Sequence, residues 1–447
     1  MLIELVQLND NNTEAVRLSV MALERFKSDL SFLNDHIGLL LKLGYFDEAR
    51  RYLEQMVSDG KASIDNRLDL VELDFPHHSD RAGLIFQRLL DKDPANIRAL
   101  VGALSARSFQ TFGPPKIGFL LSAHWHWTIQ KSVTQALDAL QTSCHITTRL
   151  WALKRMQPAI VVISDAAPRI VKWLRTHLPQ AKIVNTRHGL AIGGKNYGLY
   201  AAAATDYLCV SSDSVKQDLC QAALLNEERV WVTGYSQMDS LFGASTPGPG
   251  AAAGKRVTFA PTCDLSLSAL AVIGSNPVHW IRGTDRTIHL TIRPHPHLFR
   301  DLPVLMQQWS QLIKNEPNCV MDDKPLSDLS ALLINTDLLI SDVSSAALQF
   351  MALNKPIISV VDPDKARSSP KYAPEELEWK MHAATVVVQR KEQLHQAVKA
   401  ALAGVQDPKI ALERQRISDY LFGGMADGRA GERIAQRLVS LTANTTT

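Results

Sequence analysis

From Lys116 onward the chain alternates short β-rich runs with helical stretches, and this alternation limits the fold more than any other feature of the sequence. KIGFLLS, AIVVISD, AKIVNTRHG, TDYLCVSS and RVWVTGY come first. Strand and helix alternating over short connections is the pattern of a parallel sheet covered by helices on both faces. The small-residue segment Gly243 to Gly254 (GASTPGPGAAAG) interrupts it. That content of Pro and Gly holds neither helix nor strand, so the segment reads as an interdomain hinge. Beyond it the pattern restarts with KRVTFAPT, TIHLTIRPHP, TDLLISDVSS, KPIISVV and ATVVVQ, followed by two helical stretches. The expected units are 116–243 and 256–447, joined by a linker over 244–255.

At roughly 150 residues per domain, 447 residues leave room for a third unit in front. Residues 1–110 read as helices and repeat. Ala49, Leu53 and Met56 stand at i, i+4, i+7, and the same triplet recurs at Ala82, Phe86, Leu89 and at Ala15, Ser19, Ala22, a period of 33 to 34 residues. With Gly44-Tyr45 before one small residue and Pro94 after a second helix, the period resembles the tetratricopeptide repeat, whose small residues let paired helices approach closely. An unrelated helical bundle is the alternative. Such a module carries no chemistry of its own, so it is expected to bind a partner protein or extend the catalytic part. Two Rossmann-like α/β units facing a cleft, with this all-α module in front, resemble the GT-B architecture of glycosyl- and phosphotransferases.

Composition removes several function classes. Forty-eight Lys+Arg against 45 Asp+Glu leave +3, too weak a balance to mark a nucleic-acid protein, so an anion must be caught by local geometry. There is no apolar run of membrane-spanning length, and MLIELVQLNDNNTE lacks the pattern of a signal peptide, so a cytoplasmic protein is expected. Five scattered cysteines, with no pair at metal spacing, suit reduced thiols; neither a metal site nor a cofactor is expected.

The chemistry concentrates at strand ends. In LLISDVSSAALQFMALNKP a buried strand ends at Ser341-Asp342, and Ser344-Ser345 open a helix. Hydroxyls and unbonded N–H groups there suit a phosphate, although Ser344 as a simple N-cap is the competing reading. RPHP puts Arg293 and His295 after a strand, stiffened by Pro294 and Pro296 and so aimed. APT ends another strand at Thr262. His188 follows AKIVN and precedes a turn with Gly189, Gly193, Gly194 and Lys195, where backbone can approach a ligand closely. A histidine there is suited to take the proton of an attacking hydroxyl, and Lys195 to meet an anionic acceptor. In SAHWHW, His124 and His126 alternate with two Trp; acceptor contact and simple packing both remain open, and no third ligand makes a metal site of them. Arg429, Arg433 and Arg437 recur beside an apolar stripe, as a solvated helix face or as a seat for anionic lipid.

Taken in order, His188-Gly189, TGYSQMD (Thr233 to Asp239), FAPT (Phe259 to Thr262), RPHP (Arg293 to Pro296), SDVSS (Ser341 to Ser345) and Asp427-Gly428 resemble the CDP-glycerol glycerophosphotransferase family of teichoic-acid and capsule polymerases. The resemblance covers about residue 180 to the end. It implies a CDP-linked alcohol donor on the C-terminal unit and a glycan or lipid-linked acceptor whose hydroxyl attacks the β-phosphorus and releases CMP, at the inner face of a membrane. It assigns His188 as general base and His295 as the second catalytic histidine. Thr262, Arg293, His295, Asp342, Ser344 and Ser345 would hold the donor, and His124, His126 and Lys195 the acceptor. Arg187 stands where the family commonly has Trp, Leu190-Ala191 where it has Thr-Pro, and Cys263-Asp264 where it often has an aromatic residue and Arg. A glycosyltransferase using a nucleotide sugar, such as a CMP-activated acidic sugar, and a non-catalytic scaffold are the other readings these departures allow.

Overall fold

The structure, a computed structural model, describes residues 12–26, 29–75, 77–190, 200, 203–223, 225–243, 254–324, 326–362 and 376–444. Lys195 and most of the expected linker, 244–253, lie outside the described residues.

Among the described residues six helices come first: α1 (Asn12–Arg25), α2 (Leu30–Leu43), α3 (Phe46–Ser58), α4 (Ile64–Asp74), α5 (Ser79–Lys92) and α6 (Ile97–Phe112). The repeated small residues Ala15, Ala49 and Ala82 fall on α1, α3 and α5 and are buried, so the period corresponds to one helix pair. Close approach is visible at Gly102 of α6, where an added Cβ would meet the Phe86 ring at 2.6 Å.

Two six-stranded parallel sheets follow. The first contains β1 (Ile117–Leu120), β2 (Cys144–Thr147), β3 (Ile160–Ile163), β4 (Lys182–Asn185), β5 (Tyr207–Val210) and β6 (Val230–Val232), in the order β2-β1-β3-β4-β5-β6. The second contains β7 (Arg256–Phe259), β8 (His289–Ile292), β9 (Cys319–Met321), β10 (Leu338–Ser341), β11 (Ile357–Val360) and β12 (Val386–Val388), in the order β12-β11-β10-β7-β8-β9. Counted within its own unit, the second sheet has the dinucleotide-fold order, reversing direction between β7 and β10. Ten strands coincide with the apolar runs of the sequence. The two that do not, β2 and β9, are both edge strands; β2 carries His145 and Thr147, and β9 has only three residues with Val320 60% exposed.

The helical module is fused to the first sheet. Ser105 Oγ of α6 donates to the Ile146 carbonyl at 3.1 Å and accepts from the Ile146 N–H at 2.8 Å, and Ser108 Oγ accepts from the Cys144 N–H at 3.0 Å. Serine hydroxyls thus occupy the open edge of β2, which would otherwise be a template for pairing. In return Trp151 and Ala152 from the helix Leu150–Met156 complete the core of the module with Leu40 and Leu53.

The second unit is not bounded by 256–447 in space. The terminal helix Ala430–Asn444 places Ile434, Ala435 and Leu438 in the core of the first sheet, against α7 (His126–Ala139) and with Ile117 and Phe119. Its N-terminus is capped by Asp239, which accepts from the N–H groups of Ala430 (2.9 Å) and Gly431 (2.7 Å). The C-terminal arginines are used locally: Arg433 pairs with Asp427, Arg429 with Glu432, and Arg437 lies over the Trp231 ring.

Candidate active site

The carboxyl ends of both sheets open on one cleft, with a cavity of about 350 Å³. The loops after β1 and β4 supply His124, Trp125 and His188; those after β7, β8 and β10 supply Ala260, Pro261, Arg293, His295, Ser344 and Ser345. In the second sheet this is the switch point between β7 and β10, where loops leave in opposite directions and a ligand finds room.

On the first-unit wall, buried Gln130 of α7 donates to Ser164 Oγ (2.6 Å) and Thr186 Oγ1 (2.7 Å), locking together the loops after β3 and β4. The Ser164 carbonyl then stands 3.2 Å from His188 Nδ1. A carbonyl only accepts, so Nδ1 carries the proton and the lone pair of His188 is on Nε2. Arg187, just before it, has φ +60°, and its N–H donates to Asn185 Oδ1 at 2.8 Å. That left-handed backbone is a strained state for a non-glycine residue and turns the chain so that His188 enters the cleft.

Across the cleft the proton sits the other way. His295 is the N-cap of the helix Pro296–Asp301, and its Nδ1 accepts from the His297 N–H at 3.2 Å. An N–H only donates, so His295 carries its proton on Nε2 and is a donor toward an anion. Arg293 is held by Asp322 and, at 2.9 Å, by the Ser327 carbonyl, which fixes the fork of its guanidinium. Trp125 joins the walls, with ring centroids 4.8 Å from His124, 6.3 Å from His295 and 5.1 Å from His297.

Three expected site residues are placed differently. His126 is 2% exposed and lies behind His188, not in the cleft, with burial pulling its pKa down to about 3 and His188 and His124 adding to the shift. Burial, with His297 and Arg293, also lowers the pKa of His124, which does line the cleft. Asp342 is fully buried and does not line the cleft. It accepts from the N–H groups of Thr262 (3.0 Å) and Ala269 (2.8 Å), and burial pushes its pKa up to about 7 against those bonds. Thr262 spends its N–H on Asp342, and its neighbours Ala260 and Pro261 line the cleft instead. Ser344 caps the helix Ser345–Met351 by accepting from the Ala346 N–H, while Ser345 is exposed to the cleft.

Trp125, Arg187, Asp322 and His297 carry no role in the sequence reading. His297 could have been found two residues after His295; the Arg293–Asp322 pair joins different loops and leaves no spacing signal. Among the described residues, Cys263/His295/His297 and His126/Asp165/His188 each bring three potential ligand atoms within 4.8 Å of one another. Tetrahedral zinc holds its donors roughly 3.5 Å apart, so either set would have to contract. Cys263 and the histidines come from loops after neighbouring strands, which is why cysteine spacing along the chain gives no hint of them.

Two α/β units with a ligand cleft between their strand ends, and a terminal helix returning from the second unit to the first, define the GT-B fold. Residues 121–440 match the family model of CDP-glycerol:poly(glycerophosphate) glycerophosphotransferase, and the chain belongs to that family. Among solved structures it is similar to the wall teichoic acid polymerase TagF soaked with CDPG, at TM-score 0.53 and 13% identity, covering 83% of this chain and 98% of that one. A second TagF structure gives TM-score 0.51 at 14% identity, covering 81% and 98%. The S. aureus MnaA–UDP structure gives TM-score 0.50 at 12% identity, covering 73% and 96%. No curated protein matches the sequence. Among the described residues, no helix is long and apolar enough to cross a membrane.

Proposed function

We propose that the chain transfers a polyol phosphate, glycerol phosphate in the first instance, from a CDP-linked donor to a hydroxyl of a glycan or lipid-linked acceptor in the building of a surface polymer. The observation that carries this reading is the opposed proton placement of His188 and His295 on facing walls of one cleft. His188 Nε2 takes the proton of the acceptor hydroxyl as its oxygen attacks the donor β-phosphorus. The bond from that phosphorus to the bridging oxygen breaks, and CMP leaves with the electron pair. His295 Nε2–H, Arg293 and Ser345 meet the phosphate oxygens, where bonds to charged groups are short and strong. Lys324, also on the cleft wall, adds a cation to this side.

The helical module is read as a tetratricopeptide-like scaffold that buttresses the first sheet and offers its outer surface to a partner. A lipid-linked acceptor would be met by a cytoplasmic enzyme working at the inner face of the membrane, and that is the location read here. Incubation with CDP-glycerol and an acceptor panel tests the transfer: CMP appears in step with glycerol phosphate on the acceptor. Turnover of a nucleotide sugar with no turnover of CDP-alcohols would replace this reading with the glycosyltransferase one.

A further inference from the structure

A second pocket, of about 570 Å³, adjoins the cleft. Thr128 and Gln237 line both cavities, so the two share a rim. We propose that this second pocket is the acceptor groove and that it takes a neutral, hydroxyl-rich glycan rather than a phosphodiester chain. The inference rests on the transferase reading above and names the acceptor class of that same site.

Position comes first. The groove runs between α7, the turn at Ser236 to Ser240 and the terminal helix, and meets the cleft on the first-unit side, the side that carries His124 and His188. A chain lying in it presents its end past Gln237 to the histidine that takes the proton. The opposite wall, with Arg293 and Ser345, is left to the donor.

The rim is held rigidly. Gln237 Oε1 accepts from the Tyr235 hydroxyl at 2.8 Å, its Nε2 donates to Thr128 Oγ1 at 3.2 Å, and its carbonyl accepts from Ser330 Oγ at 2.8 Å. Bonds on both ends of the amide fix which way it points, and preorganised polar groups lose little freedom on binding. Gly428 also lines the groove, with φ +74° in the left-handed region and so tight against the chain that a Cβ would meet the Gly243 nitrogen at 2.8 Å.

Charge selects the occupant. Among the described residues the lining contains one lysine, Lys131, against the carboxylates of Asp239, Asp328 and Glu432. Asp239 caps the terminal helix and Glu432 pairs with Arg429, so the surface is mildly negative and nowhere strongly positive. A polymer with a negative charge on every unit is repelled by such a wall. Sugar hydroxyls both donate and accept, and the amides of Gln135 and Gln436, with the carboxylates, offer both partners. Ala136 and Ala139 leave a small apolar floor against which the C–H face of a sugar ring can lie. The volume is in the range that holds a small oligosaccharide.

The test uses the full chain. Calorimetric titration of wild type with neutral tetrasaccharides of glucose, galactose and N-acetylglucosamine, and with a tetramer of glycerol phosphate, reads binding directly. At least one neutral tetrasaccharide is expected to bind and the glycerol phosphate tetramer to bind at least tenfold more weakly. Ala139→Trp, at an exposed position, fills the groove, and Gln436→Ala removes one amide; each should raise the acceptor KM or Kd at least tenfold or threefold respectively, with CDP affinity unchanged within twofold. Preference for the glycerol phosphate tetramer, absence of binding by every neutral tetrasaccharide, or an acceptor constant untouched by Ala139→Trp in folded protein overturns the proposal. The transferase reading fails separately: oligosaccharide binding that Ala139→Trp abolishes, in a protein that releases no CMP from CDP-glycerol, keeps the groove and discards the donor chemistry.

Discussion

His126 and His188 lie ring against ring, centroids 5.5 Å apart and planes 25° from parallel. The inner ring is buried and held neutral; the outer one is exposed at the cleft. In the proposed mechanism His126 positions His188, and the exposed ring is the one that exchanges protons.

His188→Gln is expected to lower turnover by about 10² to 10⁴, the usual worth of a general base, with donor affinity kept within a few-fold. His126→Ala should lower kcat and leave the donor constant unchanged, and His126→Phe, which restores a flat ring, should recover most of the loss. Single-turnover kinetics alongside CDP titration separate the two effects. Activity above a tenth of wild type in His188→Gln would remove it from the chemistry.

Arg293 reaches the cleft with its guanidinium already engaged by Asp322 and the Ser327 carbonyl. Arg293→Gln removes a charge-assisted contact worth about 1.5 to 3 kcal/mol, which is roughly a 10- to 150-fold weakening of CDP. Ser345→Ala, losing a single neutral bond of about 1 kcal/mol, should cost only several-fold. CMP lacks the β-phosphate and should be affected less than CDP in both variants. Equal losses for CMP and CDP would place these residues away from the β-phosphate.

The legible part of this chain was the part written in runs of apolar residues and in short segments around strand ends. Ten strands, the two-unit organisation, and the convergence of His188, Arg293, His295 and Ser345 on one cleft followed from those signals. The edge strands β2 and β9 carry no such run, because β2 mixes His145 and Thr147 with its apolar residues and β9 is only three residues long; β2 is completed by the hydroxyls of Ser105 and Ser108, residues from the preceding module. Asp342 was misplaced for a different reason. A carboxylate at a strand end reads as a ligand contact, but this one is buried and bonds the loop at 262–269 from beneath. Trp125 and Arg187 act through packing across the cleft and through backbone strain, neither of which has a sequence signature.

Removing the helical module is expected to cost the first sheet its fold. Ser105→Ala leaves the buried Ile146 N–H without its acceptor, at a cost of about 1 to 3 kcal/mol. Protein beginning near Pro114 loses both serines and exposes the apolar residues that α6 covers. Ser105→Ala should lower the urea midpoint without changing the m-value, and the truncated chain should aggregate or unfold. A truncated protein that is folded and binds CDP like the full chain would show the module to be independent.

Acid should destabilise this fold through its buried histidines. Burial lowers the pKa of His126 to about 3, and of His145 and His382 to about 4, from an ordinary value of about 6.5. Between pH 6.5 and 4 the unfolded chain therefore binds one more proton at each of the three sites, and the stability present above pH 6.5 is lost as pH falls. Asp342 works in the opposite sense: its pKa, raised to about 7, makes the folded chain bind one proton more over the same window. Together these four groups leave an excess of about two protons on the unfolded side, so stability is lost as pH falls through the window around pH 5. His145 is the cleanest place to test this, because neither ring nitrogen has a hydrogen-bond partner and nothing polar is broken by its removal. His145→Leu should flatten the dependence by about one proton, and Asp342→Asn should steepen it by the same amount. Urea unfolding at pH 7, 6 and 5 measures both slopes. A slope in His145→Leu equal to that of wild type would mean that His145 is protonated in the folded protein, against the burial of its ring.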